Sequence, residues 1–251
     1  MQIGILQWNI WYKEKIENIV KTIKEIDPDI VCLQELALNC KYNPCVPDAP
    51  KYIKDGLKFS GFFRIAHRFS NGNKLDALGN GIFTRFPITN SFSELIQEPS
   101  AKDNDYSREG RVYVEAKIKI NGREVTIGTT HLSYTHRFED TEARKQEIDN
   151  LLRIINRKEE RFIFTGDLNS TPDSYAIKEL GKIFRCCQPN YSEKTWTTKP
   201  FEYKGFREDK LNWRLDYVFA TKDIKCVSSE IIKTNYSDHL PVFVRISLCE
   251  K

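Results

Sequence analysis

Nowhere does the chain string together the roughly 18 apolar residues that a membrane-spanning helix needs. Its start, Met1-Gln2-Ile3-Gly4-Ile5-Leu6, lacks the basic stretch and long apolar core of a secretory leader. The cysteines are seven, an odd number, and none stands in a CxxC pair. That spacing excludes a zinc-ribbon site and argues against a disulfide framework. Only Cys40 and Cys45 are close enough to leave a local bridge or a metal contact open. A reducing compartment, cytoplasmic or otherwise intracellular, is therefore expected, with no membrane partner. Low-complexity tracts, Gly/Ser linkers and internal repeats are also missing, which favours a single domain over residues 1–251. Histidine is scarce, with only His67, His131, His136 and His239.

What is present is ordinary in bulk: 251 residues, 40% hydrophobic and 29% charged, with a net charge of +4. This suits a soluble globular protein. The mild basicity is compatible with a polyanionic partner without requiring one.

Apolar periodicity is more informative. Residues 2–8 form an apolar run fit for a buried strand. Residues 13–26 carry Ile16, Ile19, Val20, Ile23 and Ile26 at helical spacing, and Pro28 stops them. Strands are expected at 29–34, 81–84 and 111–120. Asn121-Gly122 then turns a hairpin into 124–130. A second helix is expected at 142–157, with Ile148, Leu151, Leu152 and Ile155 on one face. Strands at 161–165, 215–220 and 242–246 complete the set. Strands flanked by helices, with hairpins among them, predict an α/β sandwich of mixed sheets packed face to face, helices outside.

Nearly every apolar strand ends in a polar residue that a core would not choose. Asn9 closes the first, Glu35 the second and His131 the hairpin strand. Asp167 and Asn169 follow Phe162-Ile163-Phe164, Asp216 interrupts an apolar run, and Asp238-His239 precede the last strand. Strand ends at one edge of a sheet converge in space, so these groups predict an acidic pocket with two imidazoles. Such a pocket could take a cation and a phosphate.

Each motif also has a plain structural reading. Glu35 could cap a turn at 36–39, or supply a hard oxygen ligand to Mg2+. Asp167-Leu168-Asn169 could be an Asx turn before a helix opened by Thr171-Pro172. Alternatively, Asp167 handles a water proton while Asn169 donates to a phosphate. Ser237-Asp238-His239 could be a surface turn, or hold a protonated imidazole whose other nitrogen bonds Asp216. The co-occurrence of all of them in this order favours the chemical reading.

Taken together, Gln7-Trp8-Asn9, Leu33-Gln34-Glu35, Thr129-Thr130-His131-Leu132, Gly166-Asp167-Leu168-Asn169-Ser170, Trp213-Arg214-Leu215-Asp216-Tyr217 and Ser237-Asp238-His239 resemble the endonuclease/exonuclease/phosphatase superfamily. The resemblance runs from Gln7 to Val244. It implies a four-layered, deoxyribonuclease I-like α/β sandwich and a Mg2+- or Mn2+-dependent hydrolase of phosphoester bonds. By the same resemblance, Glu35 is the principal metal ligand, with Asn9 beside it and Asp238 as the second metal-proximal carboxylate. Asp167 positions or activates the water, and Asn169 binds phosphate. His239 stabilises the transition state and Asp216 orients it, while His131 matches the Thr-His-Leu branch. Some branches place an acidic residue where this chain has Trp11, which counts against abasic-site cleavage.

Aromatics and cations crowd residues 196–214, and Asn80, Arg111, Trp196 and Arg214 are the expected substrate contacts. Stacking and phosphate pairing of that kind suit DNA or single-stranded nucleic acid. The loops 67–80 and 101–111 could frame the pocket. A small-molecule or lipid phosphoesterase of the inositol phosphate or sphingomyelin type is the alternative, and an inactive binding module a more remote one. Nothing in the sequence implies a protein partner, and a monomer is expected.

Overall fold

In a computed structural model, residues 2–41, 46–69, 75–100, 105–188 and 190–248 are described. Cys45, Cys249 and parts of the two candidate framing loops, residues 70–74 and 101–104, lie outside them. The chain begins β1 (Gln2–Asn9), α1 (Ile16–Ile26), β2 (Ile30–Leu38), α2 (Ala49–Leu57), β3 (Ser60–Arg68) and β4 (Ala77–Thr84). It continues with β5 (Ile88–Gln97), β6 (Arg111–Ile120), β7 (Arg123–His131), α3 (Glu142–Ile155), β8 (Phe162–Asp167) and α4 (Tyr175–Ile183). Two short strands, β9 (Arg185–Cys186) and β10 (Phe201–Tyr203), precede β11 (Phe206–Glu208), β12 (Asp216–Ala220), β13 (Ile224–Ile231) and β14 (Val242–Leu248).

The strands form two mixed six-stranded sheets, ordered β13-β14-β1-β2-β4-β3 and β5-β6-β7-β8-β12-β9, with β10-β11 a separate hairpin. Each sheet has one parallel pair, β1 with β2 and β7 with β8. Parallel neighbours need a crossover, and α1 and α3 supply them. Both pairs therefore end side by side, carrying their last residues to the same end of their sheets.

Strand alternation then builds the layers. Ile3, Ile5, Ile30, Cys32 and Ile82 face Val114, Ile118, Ile127, Ile163 and Val218 across the sandwich. Leu6, Trp8, Val31 and Leu33 point the other way, onto Ile16, Ile19 and Ile23 of α1 and Ile53 of α2. Phe162, Phe164, Tyr217 and Phe219 meet Ile148, Leu151 and Ile155 of α3 and Leu180 of α4. Each fully buried aliphatic side chain contributes about 1.5–3 kcal/mol. The result is helix, sheet, sheet, helix: the four-layered α/β sandwich. Among the described residues no helix is long and apolar enough to cross a membrane.

Three expectations need correction. Cys187 and Cys226 are disulfide-bonded, linking the segment after β9 to β13 at the edges of the two sheets. Cys40 is disulfide-bonded as well. The reducing compartment rested on unpaired cysteines and loses that support. The helix expected to open at Thr171-Pro172 starts at Tyr175 instead. Residues 171–174 form a turn closed by Ser174 N to Thr171 O at 3.0 Å, and Ser174 Oγ takes the cap, accepting Ile177 N at 3.4 Å. Finally, β2 runs on to Leu38 where a turn at 36–39 was an option.

Candidate active site

At one end of the sandwich the inward-facing positions change from apolar to polar. The parity that buries Ile3 and Ile5 continues to Gln7 and Asn9, and that of Ile30 and Cys32 continues to Gln34. In the second sheet Ile127 is followed by Thr129 and His131, Ile163 by Thr165 and Asp167, and Val218 is preceded by Asp216. Gln34 Nε2 donates to Thr129 Oγ1 at 3.0 Å, joining the two sheets beneath the site. Thr165 Oγ1 bonds Thr129 Oγ1 at 3.0 Å. These bonds satisfy the floor, where an unpaired polar group would cost about 1–3 kcal/mol.

Glu35 breaks the parity, since an alternating β2 would turn it outward. The β2–β4 register shifts between Leu33 and Leu36, and Glu35 itself has φ of 59°. This bulge re-aims the side chain toward β1. Its Oε1 accepts Asn9 Nδ2 at 3.1 Å and its Oε2 accepts the Tyr12 backbone N at 3.3 Å. Trp11 donates its backbone N to Asn9 Oδ1 at 3.1 Å, fixing that amide.

Asp167 is the hub. Its Oδ2 accepts Asn9 Nδ2 at 2.9 Å and lies 3.3 Å from His131 Nε2 and 3.4 Å from His239 Nε2. Its Oδ1 accepts the backbone N of Asn169 at 3.0 Å, an Asx turn that puts Asn169 at φ 42°. Asn169 Nδ2 reaches Leu132 O at 2.9 Å and His131 Nε2 at 3.1 Å. All of Asn9, Asp167, Asn169, His131 and His239 are buried, whereas Glu35 and Asp238 are half-buried.

The loop before β14 is built to present His239. Ser237 Oγ donates to Asn9 O at 2.7 Å and accepts His239 N at 3.0 Å. Trp8 Nε1 donates to His239 O at 3.0 Å. The ring Nδ1 lies 2.8 Å from Asp216 Oδ2, and the Asp216 backbone N donates to Thr195 Oγ1 at 3.2 Å.

Electrostatics push the two imidazoles apart. Burial opposes charge on His239, but Asp216, Asp167 and Asp238 together outweigh it and hold the ring well above its usual value. On His131, burial acts with the nearby Arg111, His239 and Arg144 to hold it well below. One ring is thus cationic and the other neutral. Burial lifts the carboxyls of Asp167 and Asp238 to about 6 against the pull of His239. Glu35 is raised too, mainly by burial. Asp167, Asp216 and His239 bring ligand-type atoms within 4.8 Å of one another. Their atoms are already committed to each other by the His239 contacts.

The four residues expected at a substrate divide differently. Trp196 is buried and donates Nε1 to Asp238 Oδ2 at 3.2 Å, so it steadies that carboxylate. Arg111 bonds Tyr106 O at 3.0 Å and Glu109 Oε2 at 2.9 Å beside His131. Asn80 is buried and donates to Val112 O across the sandwich at 3.0 Å. Arg214 is turned into the interior, bonding the carbonyls of Asp216, Asn190 and Glu193 at 3.0, 3.2 and 3.3 Å. That takes it out of the surface-facing set. The aromatics at 196–213 mostly pack on one another: Trp196, Phe201, Tyr203, Phe206 and Trp213 share a cluster with Tyr134 and Phe138.

Sequence reasoning gave no role to Gln7, Gln34, Thr195, Arg144 and Glu147, all of them buried supports of the site. For Arg144 and Glu147 a signal existed: they extend the α3 stripe of Ile148, Leu151 and Ile155 backwards by one turn.

The sequence profile of the Endonuclease/Exonuclease/phosphatase family matches residues 6–239. No curated protein sequence matches significantly. Among solved structures, an endonuclease/exonuclease/phosphatase from Beutenbergia cavernae superposes with a TM-score of 0.77 at 18% identity, covering 98% of this chain and 72% of that one. D. rerio TDP2 complexed with single-strand DNA product gives 0.70 at 18% identity, covering 98% and 99%. A mannosyl-6-phosphatase from Bacteroides thetaiotaomicron gives 0.68 at 17%, covering 98% and 99%. At such identities the likeness speaks for the fold, while the profile speaks for the lineage: this chain belongs to the endonuclease/exonuclease/phosphatase family.

Proposed function

We propose that the protein is a Mg2+- or Mn2+-dependent phosphodiesterase that hydrolyses DNA or single-stranded nucleic acid by attack of water. The observation that carries the reading is the sharing of Asp167 Oδ2 by Asn9, His131 and His239, with His239 held from behind by Asp216.

The donor set fits a hard divalent cation. Glu35 and Asp238 are half-buried carboxylates, and the proximity of Glu35 helps to raise Asp238. A cation would relieve that repulsion. Glu35, Asp238 and the Asn9 amide would hold it, where it supplies Lewis-acid neutralisation of phosphate charge. The Asp167-Asp216-His239 group is the poorer alternative, because a cation there would compete with the proton on His239. Asp167 orients a water and accepts its proton. Protonated His239 donates from Nε2 to a phosphate oxygen as charge builds, and Asp216 keeps that proton in place. Neutral His131, with its proton on Nε2, donates to Asp167 Oδ2; one Asn169 Nδ2 hydrogen, the other being held by Leu132 O, then donates to a second phosphate oxygen.

Support for nucleic acid comes from the fold shared with TDP2 complexed with single-strand DNA product and from the net charge of +4. The packed aromatic cluster and the mannosyl-6-phosphatase neighbour favour the second reading, a small-molecule phosphoester. A panel of single-stranded DNA, 5′-tyrosyl DNA, abasic DNA, poly(A), inositol phosphates and sphingomyelin, with Mg2+ or Mn2+, separates the two. Turnover confined to the last two classes would overturn the nucleic-acid assignment.

A further inference from the structure

The apolar stripe of α3 ends in two charges. Arg144 and Glu147 are each 1% exposed, one turn before Ile148 and Leu151. Burying an ion costs several kcal/mol unless its bonds are made elsewhere, so where these bonds go is informative.

Arg144 Nη1 donates to Leu168 O and Asn169 O, both at 3.0 Å, and to Ser170 Oγ at 2.7 Å. Its Nε lies 3.2 Å from Glu147 Oε2. Glu147 in turn accepts the Ser133 backbone N at 2.9 Å and Ser133 Oγ at 2.7 Å. One end of the pair thus grips the loop immediately after Asp167, and the other grips the loop two residues after His131. Between the loops, Leu132 N donates to Asp167 O at 3.0 Å, and the Asn169 side chain reaches Leu132 O and His131 Nε2, so the clamp acts from behind on loops already joined at their strand ends.

We propose that Arg144 and Glu147 are positioning residues: a buried two-residue clamp that fixes the separation of the His131 and Asp167–Asn169 loops and so sets the reactive geometry. The clamp rests on the reading of this site as a phosphoester-hydrolysing centre. A well-packed apolar pair would serve stability at least as well as a buried ion pair, whereas the rigid guanidinium plane holds Nη1 on three acceptors of one loop and Nε against Glu147 at once, with Nη2 buried and left without a hydrogen bond.

Arg144→Lys keeps the charge but has one nitrogen, which cannot hold the Asp167 loop and Glu147 from two corners of a rigid plane. On whichever phosphodiester the wild type cleaves, its kcat is expected to fall about 10- to 100-fold with KM unchanged. Backbone amide exchange should quicken at 132–135 and 168–170 while the sheet interior stays protected. If Arg144→Lys does not fold, Glu147→Gln, which keeps the volume and one acceptor, gives the same readouts. Wild-type kcat in the folded variant, with or without faster exchange, overturns the clamp. So does exchange that quickens evenly through the fold, which marks general destabilisation. If the wild type hydrolyses no phosphoester, the functional reading fails by itself, and local quickening at both loops, or its absence, still decides the clamp.

Discussion

His239 and Asp216 meet through Nδ1 and Oδ2 at 2.8 Å, and this contact orients the other ring nitrogen toward Asp167. The imidazole is held well above its usual value because three carboxylates together overcome its burial. The active form in this account is the protonated one. Activity should therefore persist as pH rises past neutrality and fall only above the raised value. Asp216→Asn removes one of those carboxylates, so the basic limb of the kcat–pH profile should move to lower pH. At neutral pH kcat should drop about 10²- to 10³-fold. An unmoved basic limb would remove Asp216 from the charge-holding role.

Asp167 yields a prediction of opposite sign for activity and stability. Its carboxyl is raised from 3.8 to about 6, chiefly by burial. The folded state thus binds the proton more tightly than the unfolded chain does. Stability is highest below the unfolded value, falls as pH rises toward 6, and carries the full penalty above it. Asp167→Asn should lift that penalty, on the order of 1–3 kcal/mol without metal at neutral pH. The gain should vanish near the unfolded value. Denaturant titrations at the two pH values check this, and a variant less stable at neutral pH would contradict it.

Removing metal should matter through Glu35. Glu35→Gln is expected to raise the Mg2+ concentration for half-maximal activity about 10- to 100-fold. It should also shrink the rise in thermal midpoint that Mg2+ gives the wild type. Identical metal titrations for variant and wild type would take Glu35 out of the ligand set.

The Cys187–Cys226 bridge spans 39 residues and joins the edges of the two sheets. Cys226→Ser should cost about 2–5 kcal/mol of stability, measured by denaturant unfolding. The Cys187 backbone N donates to the Val218 carbonyl and Cys226 pairs with Ile246 at the sheet edge, so kcat well below the transition should not change. A variant of unaltered stability would mean the bridge does not form in solution.

Much of this was legible in residue order. Polar residues ending apolar strands showed which end of the sandwich would be reactive, because alternation keeps Asn9 and Asp167 in line with Ile5 and Ile163. What stayed hidden was whatever departs from a local period. The bulge that turns Glu35 inward depends on pairing with β4. The aromatics of 196–213 read as a stacking surface, but their spacing does not reveal that they pack on Tyr134 and Phe138. Arg144 escaped notice because a helical stripe read by hydrophobicity stops at the first charge. The disulfide joins cysteines distant in sequence that only strand order brings together.

If Asp167 and a bound divalent cation act together on a phosphodiester, losing either should stop cleavage. A labelled single-stranded oligonucleotide is incubated with wild type and with Asp167→Asn, each in Mg2+ and in EDTA. Cleavage is expected from the wild type in Mg2+ alone, and at least about 10²-fold less from Asp167→Asn despite an intact fold. Cleavage by the wild type in EDTA, or undiminished cleavage by Asp167→Asn, would contradict their joint action.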